Sequence, residues 1–189
     1  AGQPLPRSPG ELTISGHAFE ARLYAEDVPK GFLPATGTLT RLRFPDGVRA
    51  DSGVRGGDTI SPFYDPMIAK VIVHGPTRDV ALAKLSAALK GTQVAGTVTN
   101  LGFLGALAEH KGFVAGDVDT GLIARDIDAL TAVAVVTPSH WARAGIAAMD
   151  LDMPNAGAGF NLWAPLRQSV ALSHEGEEVT LAVEVNSAD

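Results

Sequence analysis

Cysteine is absent from the 189 residues. That excludes disulfides, thiolate nucleophiles and cysteine-based zinc sites, and it fits a reducing compartment. No run approaches the roughly 18 consecutive apolar residues that a membrane-spanning helix needs. Basic residues are the minority, 15 Lys and Arg against 21 Asp and Glu, and the formal net charge of −6 argues against a nucleic acid or an anionic membrane as partner. The histidines His17, His74, His110, His140 and His174 show no H-x-x-x-H spacing and sit beside no nucleophile, so no metal site is expected. The glycines are scattered and match neither G-x-x-x-x-G-K-[ST] nor G-x-G-x-x-G, which leaves no phosphate loop. Internal repeats and low-complexity tracts are lacking too.

What is present is ordinary for a packed protein: 46% hydrophobic residues with both charge signs, enough for one domain or one and a half. The opening Ala1-Gly2-Gln3-Pro4-Leu5-Pro6-Arg7 is not expected to be a signal peptide and reads as the middle of a longer chain. Residues 1–15, with their prolines and Ser8-Pro9-Gly10, read as a connector. Strands are expected at about 16–25, 38–44 and 48–54, broken by Pro34, Gly37, Pro45-Asp46-Gly47 and Gly56-Gly57. Met67–His74 reads as a central strand, whose Lys70 needs a counter-charge or a route to solvent. Thr77 is placed to cap a helix with Leu82, Leu85 and Leu89 as its buried stripe, stopped by Gly91. A second helix is expected from Thr99, with Leu101, Leu104, Leu107 and Ala108 inward and Gly112 as terminator, and a third from Thr120 to Asp128. The sum is an α+β arrangement, an antiparallel sheet with helices to one side. Residues 131–138 read as a linker. Beyond it Ser139 is expected to cap a helix through Met149, Asn155-Ala156-Gly157-Ala158-Gly159 to form a loop, and two alternating strands to flank the turn at His174-Glu175-Gly176-Glu177.

The segment Gly16–Asp27 carries the chemistry. Alternation puts Ala18, Glu20, Arg22 and Tyr24 on one face and Phe19, Ala21, Leu23 and Ala25 on the other. A guanidinium fixed beside a carboxylate keeps its charge at any working pH and offers a planar anion a matching fork of donors. The same pattern also describes a solvated ion pair of little consequence.

Five blocks in order, Ala18-Phe19-Glu20-Ala21-Arg22-Leu23-Tyr24, Phe32-Leu33-Pro34-Ala35-Thr36-Gly37, Val48-Arg49-Ala50-Asp51-Ser52-Gly53-Val54, Tyr64-Asp65-Pro66-Met67-Ile68-Ala69-Lys70 and Thr99-Asn100, closely resemble the C-terminal part of the biotin carboxylase unit of acyl-CoA carboxylases. The first block and His74-Gly75 are most similar to the 3-methylcrotonyl branch of that family. The resemblance covers about residues 1–130 and implies the third subdomain of a biotin carboxylase at 16–130. Residues 139–189 then look like the beginning of a helix-plus-β-barrel domain that docks the partner subunit.

The resemblance implies that Arg22 contacts bicarbonate and the ureido ring of biotin. Carboxyphosphate made there from ATP and bicarbonate breaks down, and the anionic ureido group needs a fixed cation. Glu20 and Asp65 are expected to support Arg22 and the active-site edge, with a solvated carboxylate and a turn former as the plainer readings. Arg49 matches a position near the dimer contact, although Asp46-Gly47 replaces an aromatic residue found just before it in some relatives. Lys70 is expected to pair with a carboxylate. Biotin, ATP and Mg2+ are the implied cofactors of the parent enzyme, none of them held by this piece alone. The nucleotide lysines, glycine-rich lid and magnesium carboxylates of the ATP-grasp region belong upstream of Gly16, and Met67, Met149 and Met153 flank no biotin-bearing lysine. The implied partners are the biotin carboxyl carrier domain, a carboxyltransferase β subunit and a second copy, in the cytoplasm or the mitochondrial matrix. A propionyl-, acetyl- or geranyl-CoA carboxylase, a urea carboxylase, and a non-catalytic dimerisation or docking module remain the alternatives.

Overall fold

The computed structural model describes residues 2–133, 135–151, 165–174 and 176–185. They fall into two compact units, Ala1–Ala132 and Val133–Asp189. The first holds strands β1 (His17–Tyr24), β2 (Glu26–Asp27), β3 (Leu33–Pro34), β4 (Gly37–Thr38), β5 (Arg41–Arg43), β6 (Arg49–Ser52), β7 (Thr59–Ile60) and β8 (Met67–Gly75). Helix α1 (Arg78–Gly91), strand β9 (Gln93–Ala95) and helices α2 (Leu101–Glu109), α3 (Lys111–Ala115), α4 (Leu122–Arg125) and α5 (Ile127–Leu130) follow. Among the described residues no helix is long and apolar enough to cross a membrane.

The central element is an antiparallel sheet in the order β1-β8-β6. Its alternation makes the two faces different. Ala21, Val71 and Val73 are buried and pack against Leu82, Leu85 and Leu89 of α1, each valine and leucine contributing about 2 kcal/mol of burial. A second cluster, Leu23, Leu39, Ile60 and Ile68, fills the end of the sheet near Tyr24. α1 begins at Thr77, whose hydroxyl accepts from the Val80 N–H, so the expected cap and stripe are both present. The fold is α+β with helices packed on one face of the sheet, in agreement with the sequence.

Several boundaries differ. The strand expected at 38–44 is two short ones, β4 and β5, which pair with β7 and β9 in separate ladders, and α1 runs through Gly91 with Thr92 as its C-cap. The N-cap of α2 is Asn100 rather than Thr99, although the Thr99 hydroxyl still accepts from the Leu101 N–H at 3.4 Å. Phe103 is more deeply buried than the leucines of α2, because it packs with Val28 and Leu130 in a cluster of its own. Gly112 lies inside α3, and that helix ends at Gly116, whose φ of 78° suits a residue without Cβ. The expected third helix is two short ones, α4 and α5.

In the second unit, helix α6 (Pro138–Ala148) packs on a hairpin of β10 (Leu166–His174) and β11 (Glu177–Val185). α6 starts one residue earlier than expected, with Thr137 as N-cap and Pro138 as its first residue, the position where a missing N–H does least harm. His140 Nδ1 accepts from the Thr137 N–H at 3.0 Å, closing the cap. The expected loop at 155–159 lies outside the described residues.

Candidate functional site

The face of the sheet opposite α1 carries charge. In β1 the odd positions Phe19, Ala21 and Leu23 turn to the core, which sends Glu20 and Arg22 outward. Strand register brings their neighbours alongside: Arg22 faces Lys70 of β8, Lys70 faces Asp51 of β6, and Ile72 lies between Glu20 and Arg49. A row of alternating sign results. Arg22 Nε donates to Glu20 Oε1 at 3.4 Å; Lys70 Nζ lies 3.9 Å from Glu20 Oε2 and 3.7 Å from Asp51 Oδ2. Arg49 closes the row with Nε and Nη2 on Asp51 Oδ1 and Oδ2 at 3.1 and 3.0 Å.

Arg22 is 62% exposed through its side chain, with only its inner nitrogen engaged by Glu20. Its hydrogen bond to Glu20, and after it the neighbouring Tyr24 phenol, hold the guanidinium pKa above its ordinary value. The group therefore presents a permanent, oriented cation whose outer nitrogens reach solvent, a geometry suited to a carboxylate-like guest. A hollow of about 280 Å³ beside it is rimmed by Glu20, Arg22 and Glu26 and walled by Phe19, Leu104 and Phe113. A larger hollow of about 590 Å³ touches Arg49, His74 and Lys84 but not Arg22.

The sequence-expected residues separate into two groups. Arg22, Glu20 and Arg49 lie in the charged row, whereas Asp65 does not. Its Oδ1 accepts from the Met67 N–H at 3.0 Å across Pro66, an Asx turn at the entry to β8. Asp65 also raises the pKa of Glu26, second to the burial of that carboxyl. Lys70 finds its expected counter-charge in Glu20 and, in addition, in Asp51, which sequence reasoning missed. Only the β6–β8 register could have revealed it, and register is not written in short strands.

Asp51 titrates below its ordinary 3.8, first because of the Arg49 hydrogen bond and only then because of Lys70. A carboxyl lowered on folding adds stability above the ordinary carboxylate range and loses it as pH falls through its folded value. Arg49→Ala is expected to raise the Asp51 midpoint further than Lys70→Met does, measured by carboxyl ¹³C NMR. The reverse order would place Lys70, not Arg49, as the main partner.

Residues 20–125 match the family model of the biotin carboxylase C-terminal domain. The methylcrotonoyl-CoA carboxylase α subunit of Arabidopsis thaliana mitochondria is 55% identical over 125 residues, 65% of this chain and 17% of that protein. The mitochondrial propionyl-CoA carboxylase α chain of Caenorhabditis elegans is 43% identical over 123 residues, 63% of this chain and 17% of that one. Among solved structures, the biotin carboxylase domain dimer of Hydrogenobacter thermophilus 2-oxoglutarate carboxylase, in complex with MgADP and bicarbonate, is similar at a TM-score of 0.66. It is 30% identical, and the likeness covers 70% of this chain and 30% of that one. The chain thus spans about a sixth of the length of these two curated relatives.

Proposed function

The chain belongs to the biotin carboxylase C-terminal domain family, and from that premise we propose that it serves ATP- and bicarbonate-dependent carboxylation of biotin in an acyl-CoA carboxylase of the 3-methylcrotonyl type. The observation that carries this reading is Arg22, an exposed guanidinium oriented by Glu20 on an open sheet face within the matched segment. The higher identity to the methylcrotonoyl than to the propionyl relative supports the branch.

Biotin, when bound, supplies the ureido nitrogen that accepts the carboxyl group. Arg22 offers bicarbonate and the ureido oxygen two outward donors and a fixed positive charge, which needs no reorganisation as negative charge develops. Glu20 holds the inner nitrogen and so sets the fork's direction. The hollow beside Arg22, about 280 Å³, lies at the low end of small-ligand pocket volumes. ATP with Mg2+ is assigned to an ATP-grasp region of the intact enzyme.

In the same reading residues 1–15 are the connector from that region, 16–130 the biotin carboxylase C-terminal domain and 131–138 the linker. Residues 139–189 open a helix-and-barrel docking domain, of which α6 and the β10–β11 hairpin would be the first elements. Arg49 serves a contact between copies, the biotin carrier domain visits Arg22, and a carboxyltransferase β subunit takes the carboxyl group onward. The compartment is the mitochondrial matrix for a eukaryotic source and the cytoplasm otherwise.

A chimera tests the assignment. Residues 16–130 replace the matching segment of the Hydrogenobacter biotin carboxylase domain, and ATP hydrolysis is measured with bicarbonate and biotin. Hydrolysis dependent on both is expected. A folded, dimeric and inactive chimera would favour the docking module instead. The 189-residue chain by itself is expected to be inactive in the same assay.

A further inference from the structure

Among the described residues no strand lies beside the outer edge of β1, since β1 ends the sheet order β1-β8-β6. An unpaired edge leaves backbone donors and acceptors without partners and lets the strand breathe. At Arg22 and Tyr24, however, the edge is closed by one side chain. Asn100 Oδ1 accepts from the Tyr24 N–H at 2.9 Å, and Asn100 Nδ2 donates to the Arg22 carbonyl at 3.2 Å. The Asn100 N–H itself donates to the Tyr24 carbonyl at 3.1 Å. Asn100 is 5% exposed, one of two buried polar residues in the core of the first unit.

The use of a side chain has a physical reason. Asn100 is the N-cap of α2, and its carbonyl already accepts from the Leu104 N–H at 2.9 Å. That oxygen is directed along the α2 axis by this bond, and the side-chain amide is what faces β1. The amide oxygen stands where a neighbouring strand's carbonyl would, and the amide nitrogen reaches two residues back along β1. The assignment of O and N is fixed by the partners, because the opposite orientation would set donor against donor and acceptor against acceptor. This also explains why Asn100 does no capping with its side chain and why Thr99 takes the Leu101 N–H.

On the other side, β8 holds the same three residues. Arg22 faces Lys70, Leu23 faces Ala69 and Tyr24 faces Met67, with a bulge between the last two pairs. The Ala25 N–H then donates to the Pro66 carbonyl at 2.9 Å. The backbone that aims Arg22 is thus clamped from both edges.

We propose that Asn100 is a positioning residue for Arg22: its buried amide fixes the Arg22–Tyr24 backbone from the open edge of β1 and so sets where the guanidinium points. This rests on the reading of Arg22 as the group that acts on bicarbonate and biotin. A shift of about 1 Å in a catalytic group can cost about 10²-fold in rate. Ground-state nucleotide binding, which Asn100 does not touch in this reading, has no reason to change.

Two variants test it. Asn100→Asp keeps the size and the acceptor for Tyr24 but sets a carboxylate oxygen against the Arg22 carbonyl; Asn100→Ala removes both bonds. In the intact carboxylase, Asn100→Asp is expected to lower kcat for biotin carboxylation about 10²-fold with the KM for ATP unchanged. In the 189-residue chain, hydrogen exchange at the Tyr24 amide is expected to quicken at least about tenfold in Asn100→Ala while Val71 keeps its protection. Equal acceleration at Val71, or an Asn100→Asp enzyme with wild-type kcat, overturns the proposal. An Arg22→Ala enzyme run in parallel separates the two ideas. If it is crippled and Asn100→Asp is not, only the positioning role fails. If it keeps full activity, the reading of Arg22 fails first.

Discussion

Arg22→Ala in the intact carboxylase is expected to lower biotin carboxylation by about 10²–10³-fold, the range seen when one preorganised donor is removed from a developing anion. ATP binding is expected to stay near wild type. The asymmetry follows from the geometry. The guanidinium is largely exposed and its ion pair with Glu20 lies on the surface, so deleting it removes little folding energy. Arg22→Lys keeps the charge but loses the fork, and is expected to fall between the two. Fixation of radiolabelled bicarbonate into biotin reads the first quantity and nucleotide titration the second. Loss of both together, or a large drop in thermal midpoint, would assign Arg22 a folding role.

The largest expected stability effect lies far from the charged face. Gly96 follows β9 with a φ of 103°, and a Cβ there would stand 1.9 Å from the Thr38 carbonyl oxygen and 2.7 Å from the Thr40 nitrogen. Both are backbone atoms, and the Thr40 N–H is tied down in turn by its bond to the Ala95 carbonyl at 2.9 Å. Relief would have to move the segment that carries Leu39, which is fully buried with Leu23 and Ile68. Strain at such a φ and overpacking each cost roughly 1–3 kcal/mol, so Gly96→Ala is expected to lose about 4 kcal/mol in urea unfolding. Gly105→Ala is the contrast: it sits in α2 with nothing within 4 Å of a new Cβ, and a gain of about 1 kcal/mol is expected from helix propensity. Equal midpoints for the two variants would sink the steric argument.

What the sequence made legible was local and periodic. The two-residue alternation of β1 told which side chains leave the core, Thr77 announced α1, and Leu82, Leu85 and Leu89 announced its buried stripe. Even the need of Lys70 for a counter-charge could be read, because a cation on a central strand is conspicuous. What escaped was pairing across the chain. Asp51 joins the row only through a β6–β8 register, and Asn100 meets Arg22 from 78 positions away. Phe103 escaped for a related reason: the leucines of α2 made the more obvious stripe, but Val28 and Leu130 arrive from distant segments to bury the phenylalanine. Gly112 and Gly116 were indistinguishable as letters, and only the backbone angle chose between them.

The alternating row has one more consequence, in its arithmetic. Arg22, Lys70 and Arg49 against Glu20 and Asp51 leave a single unit of positive charge on that patch of a chain that is acidic as a whole. A monoanion arriving there brings the patch to neutrality, whereas a dianion overshoots and meets two fixed carboxylates. In the role proposed for Arg22, valence as well as shape would then sort its guests.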